Sequence, residues 1–298
     1  MILSYGSIGG NGVKRPVRIA CLLLAGALLF ACRASLPEPS SDVFRRYESD
    51  GLCVEIRRYA DEEARQVYYV ADIRLSDIRF FRAGFANGAF GQGTEDAEAF
   101  SRRENAVLAV NGSFNTGLVI RDGVLYQQAD DKHDAILLLY RDGSMETLAC
   151  EDFDLAAAQA KGVLHAWQFG PLLMHDGKPN RTQAQGSFGI RHSRILFGYY
   201  EPGHYVAVAV DGRRKDAIGM NFDEMVDLME GLGCKEAMNL DGGLSAIMTF
   251  KGETVNDPPK NGAGSGGRRL ADMLLFGKYD AEGSVSPSDA ADTEQPGK

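Results

Sequence analysis

Three apolar stretches of the sequence end in an acid or an amide that a glycine follows directly. These pairs are Asn111–Gly112, Asp211–Gly212 and Asp241–Gly242. A buried strand holds its last side chain rigidly, and an adjacent glycine lets a ligand approach the backbone N–H groups. The combination suits carboxylates that must be positioned against a charged substrate. A plain turn is the alternative interpretation of each pair.

The plain-turn interpretation is weaker for the two acidic pairs. After Asp211 the chain continues through Arg213 and the segment RKDAIGM into a predicted helix, and not into a paired strand. After Asp241 two glycines precede the next predicted strand directly. We therefore expect both carboxylates to be functional.

Other patterns of catalytic side chains are missing from the sequence. The five histidines show no spacing typical of zinc ligands. Ser245 lacks the G-x-S-x-G context of a nucleophilic serine. The glycine-rich segment 262–267 lacks the Lys-Ser/Thr pair of a phosphate-binding loop, so it is predicted to be a surface loop, or a lid because Arg268 and Arg269 follow it.

The composition bounds the class of protein. Of the 298 residues, 44% are hydrophobic, which is enough for one sizeable core. The net charge of −9 argues against nucleic acid as a partner, because phosphate backbones require a basic surface. We expect one folded domain between two tails.

The N-terminus predicts export. Basic residues precede an apolar run over 19–31 that is short for a membrane span and typical of a signal peptide. The run ends in LLFAC, which resembles a lipobox with Cys32 as the acylated residue. Cleavage without lipidation and a retained anchor are the alternatives. Three further cysteines, Cys53, Cys150 and Cys234, are an odd number without metal-ligand spacing and are predicted to be mostly buried apolar residues.

Short β-branched and aromatic runs dominate the middle of the chain, and DG pairs at 122–123, 142–143 and 176–177 predict hairpins between them. Helices are predicted over 95–104, with Thr94 as the cap, over 152–161, and from Asn221, where Glu224 completes a capping box. Mostly antiparallel strands with three helices predict an α+β fold. The predicted boundaries are a signal over 1–32, a linker over 33–49, the domain over 50–278 and a disordered acidic tail over 279–298.

Residues 50–278 resemble the phosphodiester glycosidase family, which includes the uncovering enzyme N-acetylglucosamine-1-phosphodiester α-N-acetylglucosaminidase. The resemblance is carried by AVLAVNGSF, FGPLLMHDGK, RRLADMLLF and above all the block from VAVAVDGR to NLDGGLS. It implies a single domain with a twisted mixed or antiparallel sheet wrapped by a few helices. It also implies cleavage of a sugar 1-phosphodiester at the glycosidic side. Bacterial members are generally exported and act on cell-surface or polysaccharide glycans.

The family's motif residues transfer to this chain position by position. The matching residues are Asn111, Gly112, Arg194, Asp211, Gly212, Arg213, Asn239, Leu240, Asp241, Gly242, Gly243, Ser245 and Asn256. The chain departs from the motifs at several neighbouring positions, of which three bear on the site: Ser193, Ile195 and Leu244. A leucine at a glycine position resists a positive φ, and Ile195 removes a hydroxyl donor.

The resemblance implies a division of roles. Arg194 and Arg213 would clamp the phosphate, and Asp241 would be the nucleophile or general base. Asp211 would be its partner or a metal ligand, with Ca²⁺ or Mg²⁺ as the compatible cations. Asn111, Asn239, Asn256 and the glycines would bind substrate. The alternative function is a carbohydrate-binding surface lipoprotein for exopolysaccharide that the departures at Leu244 and Ile195 have weakened catalytically.

Overall fold

The computed structural model describes residues 43–182, 186–260 and 266–278, and these residues belong to one compact unit. The predicted export signal with Cys32 and the predicted tail over 279–298 lie outside these ranges. None of the helices in the described ranges has the length and apolar character that a membrane span requires. Cys53, Cys150 and Cys234 are free thiols, of which only Cys234 is fully buried.

The strands of the described residues form three sheets, in which every pairing between neighbouring strands is antiparallel. In spatial order, the first sheet contains β1 (Arg45–Glu48), β2 (Leu52–Asp61), β3 (Gln66–Leu75), β14 (His204–Val210), β13 (Arg194–Glu201), β15 (Glu236–Leu240), β11 (Leu172–His175) and β12 (Lys178–Pro179). The second contains β7 (Val124–Gln127), β6 (Val119–Arg121), β10 (Val163–Phe169), β8 (Ala135–Tyr140) and β9 (Met145–Ala149). The third contains β17 (Glu253–Thr254), β16 (Met248–Phe250), β5 (Leu108–Asn111), β18 (Asp272–Phe276) and β4 (Phe81–Phe85).

Among the described residues, three α-helices accompany the sheets: α1 (Ala97–Arg103), α2 (Leu155–Ala160) and α3 (Phe222–Gly231). The capping box predicted at Asn221 and Glu224 is confirmed, since each side chain accepts from the other residue's backbone N–H. The caps of α1 and α2 are Asp96 and Asp154, so both helices are shorter than predicted. In each case an aspartate carboxylate accepts from two N–H groups of the first turn, which fixes the start of the helix there.

The three sheets share one hydrophobic core. Ile56 of the first sheet, Leu137 and Trp167 of the second and Phe276 of the third belong to one buried cluster. Each sheet packs its other face against one helix, α3 on the first, α2 on the second and α1 on the third. This burial of apolar area is the main term that holds the three sheets together.

The predicted α+β class is confirmed in part, because the described residues are mostly β with a few helices. Three antiparallel sheets replace the single mixed or antiparallel sheet that was expected. Tight turns such as Asp122–Gly123 join adjacent strands and so produce antiparallel pairs. Helix α3 does connect two strands that run in the same direction, β14 and β15, but β13 lies between them and prevents direct parallel pairing.

The folded region also begins earlier than the predicted boundary at residue 50. Strand β1 lies within the range 33–49 that was predicted as a linker, and it pairs with β2 from Arg45 to Glu48. Phe44 and Tyr47 pack against the shared core, so this segment contributes apolar burial that a linker would not.

Candidate active site

Three strand ends meet at one edge of the first sheet. Strand β13 is antiparallel to both of its neighbours, so the last residues of β14 and β15 lie on either side of its first residues. Arg194 is opposite Val210, and Ile195 is opposite Leu240. With neighbouring strands about 4.8 Å apart, the backbones of Asp211 and Asp241 flank the start of β13 at a separation of about 10 Å. The topology thus brings Arg194 and both acidic motifs to one edge.

A tight turn over Gly242–Ser245 closes this edge. Gly243 has φ +64°, a conformation that favours glycine, and its N–H donates to the Ser193 carbonyl at 2.9 Å. The Ser193 hydroxyl donates to the Gly243 carbonyl at 2.9 Å. Leu244 is not among the described residues with positive φ, so the strain expected from a leucine at this position does not arise. Ile195 points into the shared core and is fully buried.

Asp241 is partly exposed at this edge and is held by an arginine. Its Oδ2 accepts from Nη2 of Arg268, and Nε of the same arginine donates to the Ser245 hydroxyl. Within the described ranges no hydrogen bond reaches Asp241 Oδ1. The Arg268 guanidinium also lies 4.1 Å from the centroid of the Phe114 ring. Asp241 is therefore an oriented carboxylate with one oxygen held and one available.

Arg194 and Arg213 lie on the other side of the same turn. A β-carbon at Gly243 would stand 3.0 Å from Arg213 Nη2, and one at Gly242 would stand 3.7 Å from Arg194 Cδ. Arg194 is buried, and within the described ranges it donates to the carbonyls of Met220 and Ile190, at 3.1 and 2.9 Å. Burial and the charge of Arg213 lower the pKa of Arg194 to about 10, so it remains charged at neutral pH.

Arg213 is exposed and donates from Nε to His192 Nδ1 at 3.0 Å. Burial and the two arginines lower the pKa of His192, so the imidazole stays neutral and can accept this bond. Neither Arg194 nor Arg213 has a carboxylate within salt-bridge distance in the part of the chain that the structure describes. Two uncompensated positive charges beside an open glycine turn are suited to an anionic ligand.

The predicted asparagines are buried at the same strand ends. Asn111 donates to the Asp241 carbonyl at 2.7 Å and accepts from the Ile247 N–H at 3.1 Å, which joins the first and third sheets. Asn239 donates to the Gly170 carbonyl at 2.7 Å, and Asn256 donates to the Ala246 carbonyl at 2.9 Å. These amides hold the loops in place, and direct contact between them and a substrate stays a prediction.

Asp211 belongs to a different network from Asp241. Its Oδ1 accepts from Asn256 Nδ2 at 3.2 Å and from the Asp257 N–H at 2.9 Å, and Arg214 lies 3.8 Å from Oδ2. Among the described residues none contacts both carboxylate groups. Asp211 is only 1% exposed, so its contacts position the loop at Asn256, and the role of catalytic partner stays a prediction.

Burial of Asp211 has a consequence for stability. Desolvation raises its pKa from 3.8 to about 6, against the opposing effect of its hydrogen bonds. The folded protein therefore holds this proton more tightly than the unfolded chain. The resulting stabilisation is present below pH 4 and is lost as the pH rises through 6.

We expect the variant Asp211→Asn to lack this pH-dependent loss of stability. Relative to the parent protein, its free energy of unfolding should increase between pH 4 and pH 7, because asparagine does not ionise while its oxygen can still accept. Urea unfolding of both proteins at four pH values measures the difference. Parallel pH profiles would show that Asp211 does not titrate in this window.

Several residues of the site were not predicted as part of it. Arg268 contacts the Asp241 carboxylate, and the only sequence signal was its position directly after a glycine-rich segment. Asp272 is fully buried and accepts from the N–H groups of Ser113 and Asn115, both at 3.3 Å. Gly112 leaves room for it, since a β-carbon there would lie 2.0 Å from Asp272 Oδ2. Asp272 thus shapes the loop that carries Phe114.

A Ca²⁺ or Mg²⁺ site at these carboxylates stays a prediction. Asp211 Oδ1 and Asp241 Oδ2 are both occupied by nitrogen donors. The described residues contain no group of three or more His, Cys, Asp or Glu side chains that could hold a metal ion.

Comparison with known proteins finds a prophage-derived relative. It is 29% identical over 174 residues to the SPbeta prophage-derived uncharacterized protein YomE of Bacillus subtilis (strain 168), which is 55% of this chain. The chain spans about a quarter of the length of that relative, 27%.

Two solved structures share the fold. The catalytic domain of zebrafish N-acetylglucosamine-1-phosphodiester alpha-N-acetylglucosaminidase, auto-inhibited by its pro-peptide, superposes with a TM-score of 0.63 at 20% identity, over 78% of this chain and 85% of that one. A hypothetical protein from Synechocystis gives 0.50 at 14% identity, over 76% and 62%. A family model described as phosphodiester glycosidase matches residues 104–277, which is more than half of the chain and includes Asp211, Arg213, Asp241 and Arg268. The chain therefore belongs to the phosphodiester glycosidase family.

Proposed function

We propose that this protein is a hydrolase that cleaves a sugar 1-phosphodiester on the glycosidic side. The observation that carries the proposal is the pair of arginines, Arg194 and Arg213, which have no carboxylate partner among the described residues and adjoin the Gly242–Gly243 turn that follows Asp241. In a chain with a net charge of −9, such a local excess of positive charge favours an anionic group of the substrate. A phosphodiester in this position would place its sugar toward Asp241.

The chemistry requires little acid catalysis. The bond between the anomeric carbon and the phosphate oxygen breaks, and its electron pair remains on the departing phosphate monoester. Because that leaving group is a weak base, the arginines need only stabilise its growing charge. Water supplies the hydroxyl group that the anomeric carbon gains, and the remaining proton passes to solvent.

Asp241 would act at the anomeric carbon. Arg268 holds Oδ2 and orients the carboxylate, while Oδ1 is left to attack as a nucleophile or to accept a proton from water. These two roles predict retention and inversion of the anomeric configuration, respectively. In either case Arg268 is a positioning residue that acts through Asp241.

The alternative of a weakened carbohydrate-binding protein rests on Leu244 and Ile195. Neither residue removes a component of the site, since Leu244 avoids positive φ and Ile195 faces the core. This geometry favours the enzyme. Release of N-acetylglucosamine from a 1-phosphodiester distinguishes the two, because a binding protein retains the ligand and releases nothing.

We expect the variant Arg213→Gln to bind the phosphodiester more weakly. Loss of one charge-assisted contact should raise KM for the methyl phosphodiester of N-acetylglucosamine 1-phosphate by about 10- to 100-fold. The rate with p-nitrophenyl N-acetyl-α-glucosaminide, which carries no phosphate, should change little. Steady-state kinetics with both substrates measures this selectivity.

Arg181 provides the matched control for that experiment. It is an exposed arginine that pairs with Asp227 and Glu230 on α3, away from the glycine turn. Arg181→Gln should leave both rates unchanged. Equal losses with the two substrates in Arg213→Gln would contradict a role of Arg213 in phosphate binding.

We also propose export and a location at the cell surface or in the extracellular or periplasmic space, with Cys32 as a lipid anchor. The support is the N-terminal sequence pattern, which lies outside the described residues. Radiolabelled palmitate incorporation in the parent protein and in Cys32→Ser tests the anchor. A surface glycan is the substrate class that this location would supply.

A further inference from the structure

The side chain of His192 contacts one of the two arginines of the candidate active site. Its Nδ1 accepts from Arg213 Nε at 3.0 Å. A ring nitrogen that accepts carries no proton, so the proton of the neutral imidazole is on Nε2. The charged groups that face the ring are Arg213 and Arg194, and burial together with these two charges lowers the pKa of His192. The imidazole is therefore an acceptor at neutral pH.

The backbone of His192 is held by hydrogen bonds and by close neighbours. Its N–H donates to the Met220 carbonyl at 3.2 Å, and its carbonyl accepts from the Met220 N–H at 3.0 Å. Two glycines let other segments approach this point closely. A β-carbon at Gly219 would lie 2.1 Å from the His192 carbonyl oxygen, and one at Gly212 would lie 2.2 Å from the next nitrogen of the chain. The imidazole is thus attached to a firmly held backbone.

Gly243 contacts the Arg213 guanidinium group at a second place. A β-carbon at Gly243 would lie 3.0 Å from Nη2, 3.4 Å from Cζ and 3.6 Å from Nη1 of Arg213. Three atoms of the planar group at similar distances indicate that one face of the guanidinium lies over this glycine. Because His192 occupies Nε, the edge formed by Nη1 and Nη2 is the part of the group that a ligand can use. That edge donates in the fork geometry that matches two oxygens of a phosphate.

Arg213 has a backbone conformation that non-glycine residues rarely adopt. Its φ is +61°, in the left-handed region. Such a conformation persists only where the surrounding structure compensates for its cost, and these conformations cluster at functional sites. The side chain is exposed, and an arginine without a fixed contact samples many rotamers. The bond to His192 restricts that freedom on the side chain of a residue whose backbone is already constrained.

We propose that His192 is a positioning residue for the phosphodiester, which holds Nε of Arg213 so that the edge formed by Nη1 and Nη2 faces the phosphate. The inference rests on the proposed function. In this role His192 acts through Arg213, because it removes rotational freedom from the guanidinium group before the substrate binds. Orienting one rotamer-rich side chain in advance increases affinity by about three- to tenfold.

The experiment measures binding by the full chain, with Asp241→Asn present in every protein to prevent turnover. The probe is the methyl phosphodiester of N-acetylglucosamine 1-phosphate, titrated by calorimetry. Added His192→Leu should weaken binding by about three- to tenfold, because leucine accepts no hydrogen bond from Arg213. Added His192→Asn should bind within about twofold of the background, because its Oδ1 takes the place of Nδ1 as the acceptor.

His204 provides the matched control. It begins β14, at the opposite end of that strand from Asp211, and its Nε2 lies 2.8 Å from Asp72 Oδ2. Like His192 it is a partly buried histidine with a charged partner. Added His204→Leu should leave the affinity for the diester unchanged.

A double variant tests whether His192 acts through Arg213. If it does, His192→Leu/Arg213→Gln should bind the diester as weakly as Arg213→Gln alone, because the group that His192 orients is then absent. A general disturbance of the site would instead weaken binding by the same factor whether or not Arg213 is present. That additive result would overturn the inference.

The outcomes separate this inference from the proposed function. Unchanged affinity in His192→Leu, or a loss that His192→Asn does not recover, overturns the inference even if the parent protein cleaves the diester. Binding that depends on His192 and Arg213 as expected, without release of N-acetylglucosamine by the parent protein, overturns the proposed function alone. Absence of both binding and cleavage overturns the two together.

Discussion

Replacement of Asp241 by asparagine is expected to abolish cleavage of a sugar 1-phosphodiester, with a loss in kcat of roughly 10³-fold or more. The amide is neither a nucleophile nor a base, whereas it preserves the size of the side chain. Asp241 and Arg268 are both partly exposed, so loss of their ion pair should cost at most about 1 kcal/mol. The melting temperature should therefore fall by no more than about 4 °C.

Asp227→Asn is the control for this prediction, because Asp227 is also an aspartate paired with an arginine but lies on the exposed side of α3. It should retain full activity. Proton NMR of the first sugar product in the parent protein then distinguishes a nucleophile from a general base by the configuration that forms. Activity that survives in Asp241→Asn would show that another group performs the reaction.

The largest effect on stability is expected from Asp272→Ala. Asp272 and Arg121 form a salt bridge at 2.9 Å, with both side chains at most 2% exposed. Burial raises the pKa of Asp272 and lowers that of Arg121 to about 10, while each charge opposes the shift of the other. Removal of the carboxylate leaves a buried guanidinium without its counter-charge, which should cost about 3–5 kcal/mol. Urea unfolding with a constant m value measures this loss.

Two further variants define the origin of that loss. Asp227→Ala removes the exposed pair of Arg181 and Asp227. It should lower the free energy of unfolding by less than about 1 kcal/mol. The double variant Arg121→Met/Asp272→Leu should recover part of the stability, because no charge is then left unpaired. A loss in Asp272→Ala as small as that in Asp227→Ala would show that water or a rearranged side chain solvates Arg121.

Local features of the fold follow from the sequence, while the arrangement of the sheets does not. The capping box at Asn221 and the hairpin turn at Asp122–Gly123 depend on residues close together in the chain, and both occur as predicted. The segment around Tyr47 carries few apolar residues and was predicted to be part of a linker. Only its pairing with β2 and the contacts of Phe44 and Tyr47 with a distant core make it a strand.

The same distinction between local and distant contacts applies to the candidate site. The acid–glycine pattern identified Asp241 as a candidate because the whole pattern lies in one short segment of the chain. Arg268 and Asp272 could not be found in that way, since their partners Asp241 and Arg121 lie 27 and 151 positions away. Asp211 likewise contacts the loop at Asn256, which lies 45 positions away in the chain.

The position of β18 determines when the site can exist during biosynthesis. This strand follows every other described strand in the chain, yet it lies between β5 and β4 and carries Asp272 at its start. A nascent polypeptide that has not yet released residue 272 from the ribosome has its two flanking strands apart and its Phe114 loop unanchored. A premature stop at residue 271 would consequently leave Asp241 present in the product. The third sheet of that product would lack β18, the strand that joins β5 to β4.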